Sequence, residues 1–391
     1  MNLLLYYIVV AIESLAANLA HPITPTLIHN LNLPDYMFGL MFAGMSVTNF
    51  LFSPFWGKLA DYLQSRTILL IGCAGYGLGQ LFFWQATTPL TIMAARCFSG
   101  FFVGAISVAM LTYLINTSSS EARNRNLTIH ATIVTVASTF GYLIGGLAGE
   151  LSLNIAFGLQ VGLLISCGLA FILLCRKDRS QTGHQPSISQ ITKGANPFSA
   201  FIAGKQFMTP LFAILFGILL LSMFASTAYD QCFNYYIKDQ FGFSSAYNGT
   251  IKAVIGVISL ISNMTLCLYI MRKTNVAKSN ALLLLFGGIS MLGVLIFSSV
   301  TPFIFFTILY LGINAINTPV LQSLISGRAT AQNSNLVMGF YNAIKSLGMV
   351  AGSLIAGFVY DYNPKFPFML AAVSFAGAFL LAMLYWKKTK K

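Results

Sequence analysis

The chain has 391 residues, of which 57% are hydrophobic and only 8% charged, against about 25% charged in a soluble domain. With a mean hydropathy of +0.76, it has too few charges to cover a water-exposed surface, which excludes a soluble enzyme, a disordered chain and a nucleic-acid-binding domain. The net charge of +13 is explained below by where the charges fall.

The first ten residues, MNLLLYYIVV, carry no cationic segment, and Ala17-Asn18-Leu19 is a poor cleavage site. The segment therefore reads as a retained span and not as a signal peptide. A helix needs about 20 apolar residues to cross the hydrocarbon core. Twelve such runs follow one another, at about 3–27, 36–57, 67–86, 90–116, 127–150, 154–175, 209–236, 246–270, 279–298, 303–326, 336–359 and 366–385. Lipid offers no partner for open backbone groups, so continuous runs of this kind must be helices. A spanning barrel would show short alternating segments instead. The expectation is an all-α membrane protein of twelve transmembrane helices. It divides into a six-helix bundle over 1–175, a polar linker over 176–208 and a second six-helix bundle over 209–391.

Of the 22 Lys and Arg residues, Arg96, Lys252 and Lys345 lie inside runs, and Lys238 and Lys365 lie in loops on the side opposite Met1. All the others, from Lys58 to Lys391, fall on the Met1 side. This positive-inside bias places both termini in the cytoplasm and accounts for the net charge without a polyanionic partner. The six cysteines, Cys73, Cys97, Cys167, Cys175, Cys232 and Cys267, sit in or beside apolar runs with no C-x-x-C spacing, so packed thiols are expected. His21 and His130 do not form a metal cluster, no G-x-x-x-x-G-K-[ST] loop is present, and no cofactor is expected.

The halves carry weak repeats. Gly141, Gly145 and Gly149 follow ARNRNL, and Gly348 and Gly352 follow AQNSNL. Spacing by four puts such glycines on one helix face, where backbones can approach closely or slide.

Residues 57–69, GKLADYLQSRTIL, resemble the signature between the second and third spans of the major facilitator superfamily, with Gly57, Leu59, Asp61, Arg66 and Leu69 in place. RCFSGFFVGA (Arg96, Gly100, Gly104) is similar to that family's fourth-span pattern. GYLIGGLAGE is similar to its antiporter signature, with Gly146 where Pro is expected and Glu150 where the last Gly is expected. Pro22 and Pro25, after a long apolar run, look like the twelve-span drug/proton antiporter branch. The resemblance implies a secondary transporter with two bundles that rock around a midplane site. It further implies a gate in which Asp61 meets the start of span eleven with Arg66 as partner, while Gly57, Gly145 and Gly149 serve closely packed moving helices.

Buried charge marks the candidate site, because an ionisable group at the bilayer centre costs about 2.5–3.5 kcal/mol without a partner or a wet cavity. Glu13 lies about ten residues into the first span, roughly 15 Å deep at 1.5 Å per residue. It reads either as a proton- or substrate-binding carboxyl or as half of an ion pair with Lys345 or Lys252. Asp230, Gln231 and Asn234, among Tyr229, Tyr235 and Tyr236, read as a polar lining with aromatic walls, or the tyrosines as an interfacial belt. Arg96, Lys252 and Lys345 outnumber the buried acids, so an anionic substrate is an open alternative. Asn18, His21, Asn49, Asn314 and Asn317 are possible cavity hydrogen-bonders. The expected protein is a monomer in the cell membrane, moving a small organic molecule with protons as coupling ion. Export is the first reading, and uptake of a small, anionic metabolite is the second. H-x-x-x-D and H-E-x-x-H, which a membrane-embedded enzyme would need, are absent from the sequence.

Overall fold

The computed structural model describes residues 3–60, 62–178, 196–330 and 333–389, and all regular structure among them is helical. In chain order the helices are α1 (Leu3–Ala17), α2 (Thr24–Asn30), α3 (Met37–Leu59), α4 (Ser65–Gln85), α5 (Pro89–Thr117), α6 (Ser120–Leu151), α7 (Leu153–Leu174), α8 (Ser199–Gly204), α9 (Pro210–Asp239) and α10 (Ser245–Ser262). After a π-helical turn at Asn263–Cys267 come α11 (Leu268–Lys273), α12 (Val276–Ile296), α13 (Val300–Ser326), α14 (Ser334–Tyr360) and α15 (Phe366–Thr389). Among the described residues, eleven helical segments are long and apolar enough to cross a membrane, and α1 is a shorter apolar helix.

The first run departs from the sequence expectation of one helix over 3–27. It stops at Ala17, turns through residues 18–23 and resumes as α2. Pro22 has no N–H for a continuing ladder, whereas Pro25 suits the first turn of a new helix, where that N–H would be free. Elsewhere the starts follow local chemistry. Thr88 and Thr209 precede Pro89 and Pro210, and their hydroxyls accept from Thr91 N and Phe212 N. The linker includes α8, whose Phe201 packs on Phe340 of α14 at 5.7 Å between ring centroids.

The chain forms two compact units. The first holds Met1–Leu33, Gly44–Pro197 and Gly242–Ala253. In it α4 lies against α5 and α7, and α1 against α6 and α7. Tyr6, Val10, Ile68, Cys73, Ala109, Leu164 and Phe171 meet in its core. A Cβ on Gly145 of α6 would run into the carbonyl oxygen of Leu19, and one on Gly146 into that of Ser245. These two glycines set how closely α6 approaches the end of α1 and the start of α10.

The second unit holds Pro34–Ala43, Phe198–Phe241 and Val254–Lys391. There α9 packs on α14 and α15, and α12 on α13 and α15. Tyr229, Tyr235 and Tyr236 are buried in this unit, so they do not form an interfacial belt. Tyr229 shares a hydrogen bond with Thr307 at 2.8 Å, and Tyr236 stacks on Phe303. Where α14 ends, Tyr235 donates to Asp35 at 2.6 Å and Tyr360 to Asp239 at 2.7 Å. Desolvation, and then the nearby charge of Asp35, hold the Asp361 carboxyl above the ordinary carboxylate range.

Two outcomes are expected. Gly145→Val forces α6 off α1 and lowers the thermal midpoint, since overpacking costs ~1–3 kcal/mol. Gly158→Val, where nothing lies within 4 Å, leaves the midpoint in place. Asp361→Asn removes a repulsion that the parent relieves only by protonation. The variant therefore melts above the parent at neutral pH, and the gap closes as the pH falls through the raised carboxyl range. Thermal unfolding in detergent across a pH series measures it, and a constant gap would refute the assignment.

Candidate functional site: a polar cavity around Glu13

The break after α1 leaves the last carbonyls of that helix without intrahelical partners, and an apolar surrounding makes each one costly. Side chains from neighbouring helices supply the donors. Gln160 of α7 donates to Ala16 O at 3.1 Å, and Tyr76 of α4 donates to Ala17 O at 3.3 Å. The Asn18 amide donates to Ser14 O at 2.8 Å and to Ser138 Oγ of α6 at 3.0 Å.

Beside this knot lies a cavity of about 340 Å³ within the first unit, walled by residues of α1, α3, α4, α5 and α6. Its polar lining is Glu13, Ser14, Asn18, His21, Tyr76, Ser107, His130 and Ser138. Glu13 is 5% exposed, and its hydrogen-bond donor is the Ser14 hydroxyl at 3.4 Å. Among the described residues of the first unit Glu13 forms no ion pair, so the pair with Lys252 that the sequence left open is not made. A lone carboxyl with one weak donor, facing a cavity large enough for water or a small organic group, can gain and lose a proton or meet a cationic ligand.

Of the other residues singled out from sequence, Asn18 shares the cavity. Arg96 lies in the same unit but outside the lining. Its guanidinium sits 3.8 Å over the Phe83 ring, and Nη1 lies 3.9 Å from the sulfur of Met45, which does line the cavity. Tyr76 stands within electrostatic reach of both Arg96 and Glu13. Lys252 lies 5.8 Å over the Tyr142 ring, and that ring stacks on His21. Asp230, Gln231, Asn234, Asn314 and Lys345 belong to the second unit. There Asp230, Gln231, Asn234 and Lys345 are half-buried, and the Asn314 side-chain oxygen is buried without a hydrogen bond.

The expected gate residues divide. Asp61 lies outside the described residues. Arg66 donates to Gln64 Oε1 at 2.9 Å and to the carbonyls of Ile172 and Cys175 at 3.2 and 3.4 Å, closing the end of α7. Gly57 would meet nothing within 4 Å if it carried a Cβ, whereas one on Gly149 would strike Ile23.

Sequence reasoning passed over Asp178, which accepts from the backbone N–H and hydroxyl of Ser65 and from Asn116. It thereby places a carboxylate at the start of α4, where the helix dipole favours one. Sequence reasoning also missed Tyr76, Ser138 and Gln160. The spacing His130, Val134, Ser138 was a readable signal, because residues four apart share a helix face.

The sequence model of the Major Facilitator Superfamily matches residues 6–315. Multidrug resistance protein 1 of Bacillus subtilis is 21% identical over 385 residues, covering 96% of this chain and 94% of that protein. Quinolone resistance protein NorA of Staphylococcus aureus is 22% identical over 372 residues, covering 94% and 92%. Among solved structures, a bacterial homologue of the human lysosomal transporter Spinster superposes with a TM-score of 0.79 at 12% identity, covering 98% of this chain and 96% of that one. The human organic anion transporter MFSD10 superposes with a TM-score of 0.69 at 18% identity, covering 97% and 98%. With a family match over most of its length and this architecture, the chain belongs to the Major Facilitator Superfamily.

Proposed function

We propose that this protein is a proton-coupled exporter of small amphipathic organic molecules, acting as a monomer in the cell membrane with both termini in the cytoplasm. The halves 1–175 and 209–391, joined by the linker 176–208, alternate in exposing a central path. The observation that carries the reading is Glu13, a buried carboxyl with no ion pair that faces a polar cavity at the break in its helix. Discontinuous helices with binding groups near the midplane are how transporters of this kind hold coupling ions and substrates. Proton release from Glu13 to one side and uptake from the other ties its charge state to the transport cycle. The names of the relatives, multidrug and quinolone resistance proteins, support an organic drug-like cargo.

A second reading has its own observation. Lys345 lies half-buried in mid-α14, and no carboxylate among the described residues neutralises it. That favours a cargo with a negative group and is compatible with uptake of an anionic metabolite. Proteoliposomes with an imposed pH gradient separate the two readings, because export driven by inward protons and uptake with protons move cargo in opposite directions.

Glu13→Gln keeps the shape of the side chain and removes the titrating proton. Gradient-driven transport by this variant is expected to fall by roughly 100-fold, the scale of losing a proton-transfer group, while expression and thermal midpoint stay near those of the parent. Undiminished pumping by Glu13→Gln in everted vesicles removes Glu13 from the coupling.

A further inference from the structure

The cavity around Glu13 holds a second titratable side chain that the proposed coupling does not use. His130 is 7% exposed on α6 and lines the same cavity as Glu13.

Three observations give it a role. The first is its tautomer. Tyr6 donates its hydroxyl proton to Met110 O at 2.9 Å, and the same oxygen lies 3.5 Å from His130 Nδ1. With its proton already committed, the tyrosine oxygen can only accept from Nδ1. The tautomer with the hydrogen on Nδ1 suits this contact, and in it Nε2 is the acceptor of the ring.

The second is depth. α1 and α6 run side by side in the same direction, since Tyr6 meets His130 and Asn18 meets Ser138 further along both helices. Glu13 lies between these two levels, so His130 is displaced from it toward the Leu3 end of α1 by one to two helical turns, ~5–10 Å.

The third is continuity. Beyond His130 toward that end, polar groups persist: Tyr7 donates to Asn126 O at 3.2 Å, and the Asn126 amide donates to Ser118 Oγ at 2.8 Å.

We infer that His130 is the inner relay of the coupling proton, standing between Glu13 and the cytoplasmic end of the first unit; this rests on the exporter reading above. Protonated Glu13 gives its proton to Nε2, directly or through cavity water, leaving a carboxylate and an imidazolium. The imidazolium then loses a proton to water on the cytoplasmic side and returns to the neutral ring. Only O–H and N–H bonds are made and broken. A cavity of about 340 Å³ has room for several waters at ~30 Å³ each. The groups that set the electrostatics around Tyr6 are Glu13 and Tyr7 on α1, Tyr113 on α5 and Cys175 at the end of α7. On the helix of His130 itself, Arg125 acts on Tyr7.

The test uses the purified full chain in proteoliposomes, with ethidium as the transported probe, in two assays: uphill transport driven by a pH gradient, and ethidium exchange at equal pH. His130→Gln keeps a polar side chain but cannot carry a proton, and His130→Phe keeps the ring stacked on Tyr6. Both are expected to lose gradient-driven transport by about tenfold or more beyond any loss of exchange, as for a missing proton-transfer group. Tyr6→Phe, which frees the tautomer, is expected to shift the pH profile of driven transport without abolishing it.

Full gradient-driven transport by His130→Phe means that the ring only packs, and overturns the relay. Loss of exchange along with driven transport in His130→Gln places His130 in cargo binding and overturns it too. Coupling lost in Glu13→Gln but intact in His130→Gln sinks the relay alone. A parent chain that exchanges ethidium without responding to the gradient, or moves it in neither assay, overturns the exporter reading and the relay with it.

Discussion

A backbone carbonyl with no donor is tolerable in water and expensive in lipid, and the first unit is organised around that constraint. The first apolar run breaks ahead of Pro22, and the carbonyls of Ala16 and Ala17 lose their helical partners, Ala16 O keeping a turn bond from Leu19 N at 3.2 Å. Gln160 and Tyr76 reach in to satisfy them, and Asn18 ties Ser14 to Ser138. These donors come from α4, α7 and the turn after α1, and Ser138 of α6 accepts from Asn18. The cavity follows directly, because polar side chains gathered to close a helix end cannot also fill the space as apolar ones would. Glu13 and His130 face that space, so the closure of a broken helix and the titratable lining are two aspects of one arrangement.

Most of the architecture was legible in the sequence, because twelve long apolar runs in lipid leave helices as the only solution. The lone carboxylate in the first run was legible for the same reason: in a run this apolar, Glu13 stands out. What the sequence hid was mostly tertiary. Pro22 and Pro25 were noticed as a family mark, but their physical consequence, a helix that stops at Ala17, was not drawn from them. The tyrosines near Asp230 fit a belt or a cavity wall equally well, and packing decided for the core of the second unit. Arg66 was assigned to a gate because of its motif. Among the described residues, which leave out Asp61, its hydrogen bonds go to Gln64 and to the carbonyls that end α7, partners set by the loop's path and invisible in the spacing. Asp178 gave no periodic signal, since it lies just past the end of α7 and acts on a helix start more than a hundred residues earlier.

The imbalance of 22 basic against 9 acidic residues shapes how charge is handled inside the protein. Too few carboxylates exist to neutralise every buried cation, and aromatic faces take part of that work. Arg96 lies over Phe83 and Lys252 over Tyr142, while nearer the helix ends Arg328 lies over Tyr385 and Lys278 over Trp386. A ring face attracts a cation by about 0.5–2 kcal/mol and carries no charge of its own. It therefore steadies a cation without drawing in a carboxylate. That leaves Glu13 free of a permanent cationic partner, and a carboxyl locked in an ion pair would hold its proton state fixed through a cycle. In a chain this basic, an unpaired buried acid is one kept from the cations around it, and the ring under Arg96 is part of what keeps it so.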